Sequence, residues 1–157
     1  MLRCRIAMTL VVVVFGFIAG CGKDESPAKT EQFGTISGTV TFVGTWPSTG
    51  DVQVSIWVNW PPAGPAAATD PLTSRETIQS YKMEGLSKGT YSAVTVGWRD
   101  PAKPSGAKIL GVYWAQSDSL GVDSTGRPTV QPIPVEISED HLVWSDIDIK
   151  ANLDIAP

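Results

Sequence analysis

The feature that most limits how this chain can fold is a strict alternation of apolar and polar residues across residues 52–60. The apolar positions of that run are Val52, Val54, Ile56, Val58 and Trp60. Successive side chains of an extended strand point to opposite faces, whereas a helical face repeats every three or four residues. The run therefore predicts a β-strand with one face buried in a core.

Six further runs rich in β-forming residues are separated by glycine, proline, serine and aspartate. They cover residues 35–43, 77–83, 90–98, 108–115, 130–137 and 143–153. The segments 61–71, 99–108 and 116–129 are predicted to be loops, the first because proline cannot donate to a strand ladder. No useful helical pattern follows residue 33, so residues 34–157 are predicted to form an all-β, seven-stranded Greek-key β-sandwich.

Residues 1–20 have the order of an export signal. Arg3 and Arg5 precede an uncharged, mostly apolar run over residues 6–19, which is shorter than the roughly 20 residues that a membrane-spanning helix needs. A basic start followed by a short apolar run is typical of a secretory signal peptide. The residues alone leave open an ordinary signal peptide cleaved at a small residue, or an uncleaved anchor.

The sequence Ile18-Ala19-Gly20-Cys21 that closes this segment resembles the lipobox of bacterial lipoproteins. The resemblance implies cleavage between Gly20 and Cys21, and a covalent diacylglycerol and an N-acyl chain on Cys21. In that family an aspartate after the cysteine retains the protein in the inner membrane. Gly22 stands there, which implies the outer membrane where the host has two membranes.

The polar residues 21–33 are predicted to be a flexible tether between the lipid and the domain. Loss of residues 1–20 removes two arginines and no acid, which changes the net charge from −4 to −6 and leaves ten basic and 16 acidic residues. An acidic chain is disfavoured as a nucleic-acid binder because phosphates must be neutralised. We expect the partners to be a membrane, through the lipid, and an envelope protein or a glycan; the oligomeric state stays open.

A second resemblance involves the sandwich itself. The strand Ile36-Ser37-Gly38-Thr39-Val40 and the turn Gly85-Leu86-Ser87-Lys88-Gly89-Thr90-Tyr91 look like those of carboxypeptidase-regulatory-like, or transthyretin-like, domains. The similarity covers residues 34–98 and implies a seven-stranded accessory module that is usually non-catalytic. The chain departs from that pattern at residues 61–75, where the family has a short turn.

Two arrangements of residues are candidates for a catalytic site. His141 is the only histidine and is followed by no nucleophile elbow, so an exposed turn is favoured over a serine triad. Asp146 and Asp148 are two residues apart on the polar face of the predicted last strand, a spacing that glycosidase carboxylates can adopt. Their alternation with Ile147 and Ile149 favours a solvated face, and a hydrolase is the weaker hypothesis.

Oxygen-bearing side chains in two loops make a weak candidate for calcium. Asp100 lies in one loop, and Asp118 and Asp123 lie in another. Carboxylates of this kind bind calcium, but the spacing of an EF-hand is not met. No metal cofactor is otherwise indicated.

Tryptophan is unusually frequent, with six residues in the chain. Trp60, Trp98 and Trp114 share the parity of apolar neighbours and are predicted to be core residues. The three others oppose an apolar face or lie in a turn, and they are candidates for binding a ligand: Trp46, Trp57 and Trp144. An exposed indole offers a flat face on which a sugar ring can stack.

Together these patterns predict a lipid-anchored, non-enzymatic envelope protein whose β-sandwich binds or scaffolds another component. The first alternative is a carbohydrate-binding lipoprotein that uses the exposed tryptophans. The second alternative is a calcium-dependent binding module.

The lipid hypothesis makes a prediction at Cys21. Mass spectrometry of the membrane fraction should detect a mature chain that begins at an acylated Cys21. A Cys21→Ser variant should accumulate uncut, because the thiol that accepts the diacylglycerol is missing. Normal cleavage and membrane retention of that variant would contradict the anchor.

Overall fold

A computed structural model describes residues 32–157, so the predicted signal peptide, Cys21 and most of the tether lie outside the described residues. Within that range the chain forms ten β-strands, a closing 3-10 turn (Leu153–Ile155) and no α-helix. The strands are β1 (Gly34–Val43), β2 (Asp51–Trp57), β3 (Ala68–Pro71), β4 (Ile78–Leu86), β5 (Gly89–Tyr91), β6 (Ala93–Asp100), β7 (Lys103–Val112), β8 (Val135–Ile137), β9 (Val143–Trp144) and β10 (Ile149–Asn152). The predicted all-β class is confirmed. None of the residues from 32 to 157 belongs to a helix long and apolar enough to span a membrane.

Most strands belong to two four-stranded sheets. In the first, called the β1 sheet, β1 pairs antiparallel with β4 on one side and parallel with β9 and β10 on the other. In the second, called the β2 sheet, the order is β3-β2-β6-β7 and every pair is antiparallel. The short strands β5 and β8 pair with each other. The connections from β1 to β2 and from β3 to β4 cross between the two sheets and join them into one fold.

The two sheets share a single hydrophobic core. In the β2 sheet, Val54 and Ile56 of β2 and Val96 of β6 are fully buried, and they belong to the same cluster as Ile36 and Val40 of β1. Alternate positions along β2 supply this core, as the sequence pattern predicts. Burial of each such aliphatic side chain contributes about 1.5–3 kcal/mol, so the core is the main stabilising element of the fold.

Two predicted loops are wrong in part, because proline and charged residues occupy sheet edges here. The last four residues of 61–71 form β3, in which Pro71 lies opposite Gln53. β3 is an edge strand, where a missing N–H can face away from the ladder. Likewise, most of 99–108 lies in the hairpin of β6 and β7, in which Asp100 pairs with Lys103.

The predicted last strand, residues 143–153, is interrupted. β9 and β10 are separated at Asp146, whose φ of 60° is left-handed. The bend places Ile147 against β1, where its N–H donates to the Ser37 carbonyl at 3.2 Å and its carbonyl accepts from the buried Tyr81 hydroxyl at 2.7 Å. Burial raises the pKa of Tyr81, and the Asp148 carboxylate raises it further. This hydroxyl therefore remains a neutral donor that fixes the bend.

The two sheets approach each other closely at Gly111 of β7, where an added Cβ would lie 2.1 Å from the Lys150 carbonyl oxygen. Gly111→Ala should therefore lower the free energy of unfolding by about 1–3 kcal/mol, because two backbones must separate. Gly106→Ala is the matched control on the same strand, since its nearest contact is 3.4 Å. Denaturant unfolding of both variants tests this. Equal stability of the two variants would contradict the close approach.

Candidate ligand-binding groove

The outer face of the β2 sheet carries a groove of about 620 Å³. Its floor is formed by Gln53, Ser55 and Trp57 of β2 and by Thr95 of β6. One wall is the proline-rich segment that joins β2 to β3, and the other is the first half of β7. This volume is within the range of roughly 300–1,000 Å³ that is usual for small-ligand sites.

The register of the sheet aligns three hydroxyl side chains across the floor. Ser55 pairs directly with Thr95 of β6 and with Thr69 of β3. Directly opposite residues of antiparallel strands have Cβ atoms about 4.5–5.5 Å apart. Gly97, the next outward residue of β6, has no side chain and leaves space above the floor. The face is therefore polar and recessed.

Two of these hydroxyls are buried and only partly used. Ser55 is 2% exposed and Thr95 is 1% exposed. The Gln53 amide donates to Ser55 Oγ at 3.2 Å, and the Trp57 indole N–H donates to Thr95 Oγ1 at 2.9 Å. Within residues 32–157, neither hydroxyl donates a hydrogen bond in return. Both side chains line the floor of the groove, and each hydroxyl oxygen is an acceptor in these bonds.

The charged residues of the groove lining are basic. Arg99 of β6 and Lys108 of β7 line it, and its lining contains no aspartate or glutamate. The Lys108 ammonium reaches the Thr125 carbonyl at 3.5 Å. The Arg99 guanidinium makes no ion pair or hydrogen bond within the described part of the chain. Arg99 is thus the cation that is available to a ligand.

The three candidate tryptophans occupy different places. Trp57 is half-buried in the groove, whereas Trp46 packs on Phe42 with ring centroids 4.8 Å apart and lines a separate cleft of about 170 Å³. Trp144 stacks on His141 at 4.3 Å, and its indole N–H donates to the Glu136 carbonyl at 2.8 Å. The structure therefore does not bring the three indoles into one site.

The three tryptophans that are predicted to be core residues also differ in their burial. Trp98 is buried, and its indole N–H donates to the Thr49 carbonyl at 2.8 Å. Trp60 and Trp114 are half-buried at the margin. Trp60 packs against the core cluster from this position.

The candidate calcium ligands have local roles in turns. Asp100 accepts a hydrogen bond from the Ala102 N–H at 2.9 Å. One carboxylate oxygen of Asp123 accepts from the Thr125 hydroxyl and N–H and from the Arg127 N–H, and these bonds lower the pKa of Asp123. Asp118 is exposed. No three metal-ligating side chains cluster within residues 32–157, and calcium binding stays a prediction.

Asp146 and Asp148 do not share a strand face, because the chain bends between β9 and β10. Asp148 accepts hydrogen bonds from both the N–H and the hydroxyl of Thr39, whereas Asp146 accepts from the adjacent Ser145 hydroxyl. Asp148 thus fastens the bend to β1. The placement of both residues on one continuous strand is wrong, whereas their exposure agrees with the favoured hypothesis of a solvated face.

Sequence reasoning singled out Trp57 of the groove and missed Ser55, Thr95 and Arg99. The signal for these residues is their parity, since each alternates with a buried residue of β2 or β6. What the sequence lacks is the pairing that puts the two strands side by side.

Comparison of the chain with known protein families, curated protein sequences and solved structures gives no match.

The role of Asp148 leads to a stability prediction. Asp148→Ala should lower the free energy of unfolding by about 1–3 kcal/mol, because the Thr39 donors lose a charged acceptor. Asp118→Ala is the matched control, since Asp118 is exposed and makes no such bond in residues 32–157. Thermal and denaturant unfolding at neutral pH measure the difference. If both variants unfold at the parental midpoint, Asp148 does not hold the bend.

Proposed function

We propose that this chain is a lipid-anchored cell-envelope protein, attached through Cys21, whose β-sandwich binds another envelope component without catalysing a reaction. The observation that carries the binding role is the β2-sheet groove. It combines a half-buried indole, two buried hydroxyl donors and an arginine on one rigid sheet face. Sites built on strands hold such groups in fixed positions, which favours recognition.

The chemistry of the groove supports binding over catalysis. Its lining contains no histidine, cysteine or carboxylate to act as base or nucleophile, and general acid–base catalysis normally needs such a group. Asp148, the acid considered for hydrolysis, is engaged with Thr39. The available groups donate hydrogen bonds and present apolar surface, and both properties are typical of a binding site.

We also propose that the domain is a variant of the transthyretin-like sandwich. In support, the Gly-Thr-Val segment lies in β1 and the Gly-Thr-Tyr segment forms β5. In this chain β10 pairs parallel with β1, and β3 is an edge strand beside β2. A Greek-key core with these additions accounts for the two four-stranded sheets.

A carbohydrate ligand is the more specific candidate, and the position of Trp57 favours it. Trp57 lies beside hydroxyl and amide groups, and the combination of an aromatic surface with hydrogen-bonding groups suits a sugar ring. Trp46 and Trp144 are placed away from the groove and have partners of their own. In this proposal Trp57 alone of the three contacts the sugar.

Affinity electrophoresis of the mature lipoprotein in detergent, in gels that contain a panel of polysaccharides, tests this proposal. We expect retardation in at least one gel, and Trp57→Ala should weaken it by about tenfold, since an aromatic contact is worth about 0.5–1.5 kcal/mol beyond its buried area. Trp144→Ala should leave the retardation unchanged. Circular dichroism verifies that both variants are folded.

Two outcomes would count against the proposal. Absence of retardation in every gel would remove the carbohydrate ligand. Equal weakening by Trp57→Ala and Trp144→Ala would remove the groove as the site.

A further inference from the structure

We infer that the β2-sheet groove takes an acidic saccharide, whose carboxylate is bound by Arg99 and whose ring lies against Trp57. This inference rests on the proposed binding role of the groove and specifies the ligand class. It comes from three properties of the lining: unused O–H donors in the floor, an available guanidinium, and the lack of carboxylates.

The floor of the groove contains two hydroxyl groups that can donate hydrogen bonds to a ligand. Ser55 and Thr95 each accept one hydrogen bond, from Gln53 and Trp57 respectively, which leaves their own protons for the groove. Only 1–2% of the surface of each residue is exposed, at the floor of the groove. A ligand oxygen that reaches this floor can accept a hydrogen bond from either hydroxyl. Carboxylate oxygens are the strongest acceptors of this kind.

The charge of the lining points to the same ligand. Arg99 lies on the same face of β6 as Thr95, four residues further along the strand. Its planar guanidinium can donate two parallel hydrogen bonds to one carboxylate. The groove lining has no acidic side chain that would repel an anion. A cation, by contrast, would meet only Arg99 and Lys108 as charged neighbours.

The remaining lining favours a sugar over a simple anion. Trp57 on the floor and Pro62 and Pro65 in the wall offer flat apolar surfaces to the carbon face of a ring. The Gln53 side-chain carbonyl accepts no hydrogen bond within residues 32–157 and can accept one from a sugar hydroxyl. A peptide carboxylate would use Arg99 but would supply no ring for Trp57.

One acidic residue opposes the proposed anion from outside the groove. Asp51 is directly opposite Arg99 in the ladder, although no ion pair forms between them. Side chains in opposite positions are about 5 Å apart at Cβ, so Asp51 weakens the field of Arg99. Removing that charge should strengthen binding of an acidic ligand, and the position therefore supplies a control of opposite sign.

The experiment compares each uronic-acid oligosaccharide of a small panel with its own methyl ester, by titration calorimetry on the full mature lipoprotein in detergent. The panel holds galacturonate, glucuronate and mannuronate oligomers. The ester keeps the ring and removes the charge. We expect at least one acid to bind about tenfold more tightly than its ester, a ratio typical of one charge-assisted contact.

The variants separate the charge from the ring contact. Arg99→Gln should remove the preference for the acid, so that the acid and its ester bind with equal affinity. Asp51→Asn should increase the preference, and a Ser55→Ala/Thr95→Val double variant should reduce affinity for the acid. Unfolding midpoints equal to that of the parent show that the variants are folded.

Each other result would overturn the inference in a different way. Equal binding of acid and ester, lost in Trp57→Ala, would refute the acidic ligand and leave the carbohydrate proposal standing. Failure of every acid and ester to bind would refute the acidic saccharide and, with the polysaccharide gels also negative, the carbohydrate proposal itself. If only a peptide with a free C-terminal carboxylate binds, and its amide does not, Arg99 recognises a peptide and the saccharide is wrong.

Discussion

The pairing register between β2 and β6 is the constraint on which both the core and the groove depend. In this register Val54 lies opposite Val96 on the inner face, and Ser55 lies opposite Thr95 on the outer face. A shift of one residue would place the valines in water and the hydroxyls in the core. The apolar side chains select the register, and the polar floor of the groove is a consequence of that selection.

The sequence pattern is sufficient for strands whose two faces meet different surroundings. β1 is predicted to within one residue, because one of its faces is buried and the other is polar. β2 is predicted at its start, but it ends at Trp57 and not at Trp60, and Val58 is exposed. β3 is not predicted by the same reasoning, because Pro71 disfavours a strand inside a sheet. A proline is compatible with a strand only when that strand lies at the edge of the sheet, which the sequence does not reveal. The bend at Asp146 is not predicted either. Ile147 and Ile149 both follow the bend and are both buried, so their alternation is the same as that of an uninterrupted strand.

The groove is predictable only in part, for a related reason. The parity of Trp57 in β2 indicates that it lies outside the core, and the structure places it on the outer face. The same reasoning selects Trp144, whose indole is occupied by His141 and the Glu136 carbonyl. A single strand does not reveal what lies beside it. The meeting of Ser55 with Thr95 is a tertiary property and requires the fold.

The acidity of the chain and a preference for an acidic ligand are compatible once distance is considered. At physiological ionic strength the Debye length is about 8 Å, so a ligand inside the groove responds mainly to the charges of the lining. Those charges are Arg99 and Lys108. The positive potential of Arg99 is reduced by Asp51, which lies opposite it in the ladder. The floor adds two hydroxyl dipoles that bring no net charge and are shielded from water. The acidity of the whole chain therefore does not argue against the proposed acidic ligand, because the charges nearest to that ligand are basic.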